Sequence, residues 1–332
     1  MRVRRGPLTP APAPADTPPG ASVLGGLNVL GFHRGRRGRA PLLARAGGAT
    51  RSLLAALPLV LAATAALANN ALVVQNLCGE TIWIQQQNMN PAGGGVTNPV
   101  VVELAPKASH TYAISNTVAT PSVALWPKTG CDDTGQNCKT GQQAAPCPPE
   151  GCTYPIASMP EVTFVPGTSG QTFIDASMVN GFSLPVSIVP SKNAGHTSNC
   201  TPAVCPTITE ASCPTNENLS SNGAFPAYAS VNLRLYENGA FVGCMAPCAY
   251  LTKVKGLQPT DAAAAQYCCQ GPVYGQAAAC KAGPVATTKY VSLIHKACAS
   301  EVYAYPYDDA NGTHSCIGSV TITATFCPPV PK

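Results

Sequence analysis

Sixteen cysteines, the first at Cys78 and the last at Cys327, constrain this 332-residue chain more than any other feature of its sequence. None falls in the first 77 residues. An even number at this density reads as a disulfide framework closed in an oxidising compartment, because cytosolic reductants keep thiols open. Metal binding is the competing use of so many thiols. It is disfavoured here, since no CxxC pair occurs and His110, His196, His295 and His314 lie far apart in the chain. No metal and no cofactor are expected.

A hydrophobic run precedes the first cysteine. From Ser52 to Ala68 there is no charge, and the run closes on the small residues Ala66-Leu67-Ala68, so 51–68 reads as a signal peptide with a mature start at Asn69. The run is at the lower limit for a membrane span and no basic flank follows it, which favours a secreted, extracellular protein over an anchored one. Residues 1–50, rich in Pro, Gly and Arg without apolar periodicity, are expected to be disordered or to lie upstream of the true start. The formal charge of +5 is misleading, because nine Arg against the single acid Asp16 fall at or before Arg51. Residues 69–332 hold 11 basic and 14 acidic side chains, which gives no electrostatic footprint for nucleic acid.

Within 69–332 short apolar runs alternate with Pro, Gly and Asn. Strands are predicted at 71–76, 81–85, 100–104, 109–114, 122–126, 161–165, 172–176, 184–189, 231–236 and 319–326. The last shows the period of two plainly, with Val320, Ile322, Ala324 and Phe326 on one face and Thr321, Thr323 and Thr325 on the other. Many short strands at close spacing imply a sandwich or barrel. Helices come late. Tyr290, Leu293, Ile294 and Ala297 recur at helical spacing after a Thr cap, with His295 and Lys296 in the last turn, and a shorter helix opens at Thr260-Asp261. Both lie in the cysteine-dense stretch 200–298, which reads as a loop-rich lobe held by bridges more than by apolar packing. Trp83 and Trp126 fall in strand patterns and are expected to be core residues.

Several segments together resemble the thaumatin-like proteins, the group that includes the osmotins. They are Asn76-Leu-Cys-Gly-Glu-Thr-Ile-Trp83, Leu125-Trp-Pro-Lys-Thr-Gly-Cys131, Phe173 to Val186, Glu237 to Cys248 with its CxxxC, Gln266-Tyr-Cys-Cys269, Tyr303-Ala-Tyr-Pro-Tyr-Asp-Asp309 and Phe326-Cys-Pro328. The order and grouping of all sixteen cysteines match as well. The resemblance implies a mainly β fold, a flattened β-sandwich of about eleven strands with two disulfide-rich loop lobes. Its core would come from about 69–130, 158–199 and 299–332, the small lobe from about 131–157 and the larger lobe from about 200–298.

Sequence alone leaves roughly two million pairings of sixteen cysteines. The resemblance implies Cys78-Cys327, Cys131-Cys138, Cys147-Cys152, Cys200-Cys316, Cys205-Cys298, Cys213-Cys244, Cys248-Cys268 and Cys269-Cys280. The stretch from Cys138 to Cys147 is longer than the family usually has, so the small lobe is expected to be reshaped.

The resemblance also implies a cleft between the sandwich and the larger lobe, lined by an arginine, a glutamate and three aspartates. The arginine of the Trp-x-Arg-Thr motif falls on Lys128, the glutamate on Glu161, and the aspartates on Asp175, Asn180 and Asp308. Lys loses the bidentate guanidinium fork, and Asn removes one negative charge while keeping hydrogen bonds. Two uses of these carboxylates follow. They can accept hydrogen bonds from a β-1,3-glucan or related cell-wall polysaccharide, as in defence-type, antifungal members. Alternatively, Glu161 as acid and Asp175 as its partner can hydrolyse the glucan as an endo-β-1,3-glucanase. A third option is a protein or membrane target, as for inhibitors of secreted enzymes, reached through surface loops. A monomer is expected. No GxSxG, P-loop, HExxH or dinucleotide motif occurs. Asn218 and Asn311 head usable glycosylation sequons, whereas that at Asn199 contains Cys200.

Overall fold

The computed structural model describes residues 70–89, 95–96, 99–114, 120–149, 151–165, 171–191, 201–298, 302–309, 314–317 and 320–330. The N-terminal extension 1–50, the leader 51–68, Cys200 and Asn311 lie outside the described residues.

Two large sheets face each other. The first has five strands in the order β10 (Ala203–Cys205), β9 (Val186–Pro190), β15 (Thr321–Phe326), β1 (Ala71–Asn76) and β4 (Ser109–Ala113). The second runs β13 (Val302–Tyr303), β7 (Gln171–Ser177), β6 (Met159–Phe164), β5 (Ser122–Thr129), β2 (Ile82–Asn88) and β3 (Val101–Leu104), with β14 (His314–Ile317) also on β7. A small third sheet joins β11 (Arg234–Glu237), β12 (Ala240–Met245) and β8 (Gly181–Phe182). The protein is thus mostly β, as the alternating pattern predicts. The described residues form fifteen strands against the roughly eleven that the resemblance implies, and three of them, β8, β10 and β13, have only two or three residues.

The alternation decides which face is core. Leu72 and Val74 on β1, Val186 and Ile188 on β9 and Ile322 and Phe326 on β15 meet Ile82, Ile84, Val123, Leu125, Val162 and Ile174 of the second sheet in one buried cluster. The chain ends are held together. β1 pairs in parallel with β15, Ala71 opposite Thr321, and Cys78 is bridged to Cys327 across 249 residues of sequence.

The outer face of the second sheet carries the alternate residues. Trp126 and Met159 pack there with Ala157, Cys147, Cys152 and Tyr154 of the segment after β5, making a second, smaller core. Trp126 is fully buried and its indole donates to Gly141 O at 3.1 Å. Trp83 departs from the expected core role. It is half-buried and lies under the turn at Gly135, where a φ of +71° and contact with the indole leave no room for a side chain.

Seven of the implied bridges are present among the described residues: Cys78–Cys327, Cys131–Cys138, Cys147–Cys152, Cys205–Cys298, Cys213–Cys244, Cys248–Cys268 and Cys269–Cys280. Cys316 is disulfide-bonded as well.

The stretch 201–298 holds the helices α1 (Pro247–Ala249), α2 (Ala262–Cys268), α3 (Gly271–Tyr274), α4 (Ala277–Lys281) and α5 (Lys289–Ala297). α5 begins where the sequence predicts, with Thr288 as N-cap accepting from Val291 N at 3.2 Å. Contrary to the expectation of a lobe held mainly by bridges, Leu233, Leu251, Tyr267, Tyr290, Val291 and Ile294 belong to the same buried cluster as the sandwich. Tyr290 shows why: its ring stacks on Phe182 and its hydroxyl donates to Met178 O at 2.6 Å, tying α5 to the strand layer.

Candidate functional site

Register builds the site. On the outer face of the second sheet Gln87 lies opposite Ala124, Ala124 opposite Glu161, and Glu161 opposite Asp175. Directly opposed residues on antiparallel strands have Cβ atoms about 4.5–5.5 Å apart, so two acids are set side by side. They form the floor of a cavity of about 370 Å³, with Ser177 and Met159 one row further along. Tyr154 forms one wall and Val179 and Asn180 another, while Tyr303, Pro306 and Tyr307 close the third side.

The electrostatics follow from crowding and enclosure. Burial raises the Glu161 carboxyl to about 7, partly offset by a hydrogen bond from Ser177. Asp175 is pushed well above the ordinary carboxylate range, first by burial and then by the negative charge of Glu161. Its Oδ1 is buried and has no hydrogen-bond partner among the described residues. One proton therefore stays on the pair over a wide range. The Ser177 hydrogen bond supports the charged form of Glu161. Tyr154 is raised to about 12 by burial and by Glu161, so its hydroxyl keeps its proton.

The walls are held from behind. Tyr154 packs edge-on against Trp126, ring centroids 6.1 Å apart, and its carbonyl accepts from Lys253 Nζ at 2.8 Å. Tyr303 donates to Asp309 Oδ1 at 2.8 Å, Asp309 pairs with Lys281 at 2.9 Å, and Tyr307 donates to Gly275 O at 3.2 Å.

Three of the five expected cleft residues, Glu161, Asp175 and Asn180, line this cavity. Two do not. Lys128 shares a face with Trp126 but sits beneath the turn that follows β5; it is fully buried and its ammonium donates to Gly135 O at 2.6 Å. Asp308 is 1% exposed, and its Oδ2 meets His295 Nε2 at 2.7 Å and accepts from Ala304 N at 3.1 Å. It braces the loop carrying Tyr303, Pro306 and Tyr307 and does not face the cavity. Sequence reasoning missed the aromatic walls, although Tyr303 and Tyr307 stand in a tyrosine-rich run that was itself a signal.

The thaumatin family model matches residues 76–328. The chain belongs to the thaumatin family. A glucan endo-1,3-beta-glucosidase of Prunus avium is 33% identical over 212 residues, covering 61% of this chain and 70% of that protein. Thaumatin-like protein 1 of Pyrus pyrifolia is 30% identical over 260 residues, covering 76% and 88%. Among solved structures a thaumatin-like xylanase inhibitor, 16% identical, covers 77% of this chain and 99% of its own with a TM-score of 0.29, too low to bear on function. In this thaumatin-family chain the acids lining the cavity are Glu161 and Asp175, with Asn180 as a neutral neighbour.

Proposed function

We propose that this is a secreted protein whose cleft binds a β-1,3-glucan or a related cell-wall polysaccharide. The observation that carries the reading is the pairing of three tyrosines, Tyr154, Tyr303 and Tyr307, with a floor of hydrogen-bonding groups. Aromatic rings cover the apolar faces of sugar rings, and carboxyl, amide and hydroxyl groups meet their hydroxyls. The seven bridges suit an extracellular site of action.

A second reading, hydrolysis of the same polymer, is favoured by the direct opposition of Glu161 and Asp175. Binding alone does not require two acids to be enclosed side by side, since amides would accept and donate without a like-charge penalty. Glycoside hydrolysis requires one protonated and one ionised carboxyl, and a separation of about 5 Å suits attack by the ionised one on the sugar. In this reading Asp175 is the acid and Glu161 the nucleophile. Reducing-sugar release from soluble β-1,3-glucan, run beside retention on insoluble glucan, separates the two. Release supports hydrolysis, retention without release supports binding, and neither result would refute both and move attention to a protein or membrane target.

A further inference from the structure

A second cavity, of about 570 Å³, shares no lining residue with the cleft. Its walls include the turn at 217–222, Tyr267 on α2, Tyr274 on α3 and the chain entering α5. The charges beside it are already engaged. Glu217, 1% exposed, accepts from the backbone amides of Asn218, Lys289 and Tyr290, so it satisfies the start of α5 itself. Lys289 Nζ is drawn to Asn216, donating to its carbonyl at 2.8 Å and its Oδ1 at 2.9 Å. What the cavity offers is neutral: two tyrosines, the Asn222 amide and the Thr287 hydroxyl. Its size is that of a small-ligand site, and its chemistry suits an uncharged sugar.

Asn218 is exposed and forms part of this lining. It heads the sequon Asn218-Leu219-Ser220. Its Oδ1 accepts from Ser220 N at 3.0 Å, an interaction that a substituted side-chain amide keeps. We propose that Asn218 carries an N-linked glycan whose innermost sugars pack into this cavity, against Tyr274. In the transfer, Asn218 Nδ2 forms a bond to the anomeric carbon of a polyprenyl-diphosphate-linked oligosaccharide. The anomeric bond to diphosphate breaks, polyprenyl diphosphate leaves, and the amide loses one proton. Ser220 is only 4% exposed, so the transferase must act before this region closes.

The proposal assumes passage through a glycosylating secretory route, so the test supplies one: the full chain is secreted from a eukaryotic host behind the host's own leader. Peptide mass mapping after glycosidase treatment reads occupancy, with occupied Asn218 expected. Thermal unfolding then compares four proteins, namely wild type, Ser220→Ala, which breaks the sequon but keeps the contact of Asn218 Oδ1 with the backbone amide of residue 220, Tyr274→Ala and the double variant. Loss of the glycan should lower the midpoint by about 2–4 °C, the shift for about 1 kcal/mol in a domain of this size. That difference should vanish when Tyr274 is Ala, and shrink when Asn222→Ala replaces it as the probe. Trimming the glycan to its two innermost sugars should leave the midpoint unchanged. An unmodified Asn218 peptide overturns the proposal outright. So does a glycan effect of equal size with Tyr274 or Ala at that position.

Discussion

Replacing Glu161 by Gln isolates the energetic consequence of opposing two acids on a sheet. In the unfolded chain Glu161 loses its proton near the ordinary value of 4.5, whereas in the folded protein it keeps it to about 7. Between those values the native state binds more protons than the unfolded state, so stability falls as pH rises. The penalty is absent below about pH 4, grows from about pH 4.5 to 7 and is complete above that. A difference of about 2.5 pH units at 1.36 kcal/mol each gives about 3 kcal/mol. Glu161→Gln removes it, and also lifts the negative charge that helps push Asp175 up. Guanidinium unfolding with all disulfides intact, at pH 4, 6 and 8, should find the variant close to wild type at pH 4 and about 3 kcal/mol more stable at pH 8. A gain equally large at pH 4, or none at pH 8, would refute the reasoning.

Glu217→Ala should destabilise by about 3 kcal/mol in denaturant unfolding, because three backbone amides lose their acceptor at once; Glu217→Gln should lose less. Replacing Cys78 and Cys327 together by Ala should lower stability by up to about 5 kcal/mol in the chain-entropy model, the loop being 249 residues long, and an unchanged thermal midpoint would contradict the tie between the chain ends. Asp308→Ala should weaken glucan affinity by freeing the loop of Tyr303 and Tyr307, while leaving the pH dependence of stability set by Glu161 in place. Titration calorimetry and the pH series above check the two halves of that statement.

How much of this was legible beforehand depended on the length scale of the signal. β1, β15 and α5 were readable because six to nine residues hold one period against one core face. β12 was not, since Ala240–Met245 buries four consecutive residues and mixes Gly and Cys into the run. The acids were identified from the motif positions of a resembling family, and Glu161, Asp175 and Asn180 do share a cavity. Lys128 and Asp308 were misplaced for a tertiary reason. Lys128 continues the alternation of Ala124 and Trp126, but the turn containing Gly135 folds over that end of β5 and captures its ammonium. Asp308 is taken by His295 from α5, a contact between elements that no local pattern announces. The same limit hid Tyr154, whose place in the wall depends on packing against Trp126.

The measurement that bears most directly on the cleft as the glucan site is the affinity of the Glu161→Ala, Asp175→Ala double variant for soluble β-1,3-glucan, set against wild type by calorimetry at one pH. A lost hydrogen bond to a charged group removes about 1.5–3 kcal/mol and one to a neutral group about 0.5–1.5 kcal/mol, so removing the pair, which carries one proton, should weaken binding by at least about 30-fold. Affinity unchanged in the folded double variant would contradict the account and place recognition elsewhere on the protein.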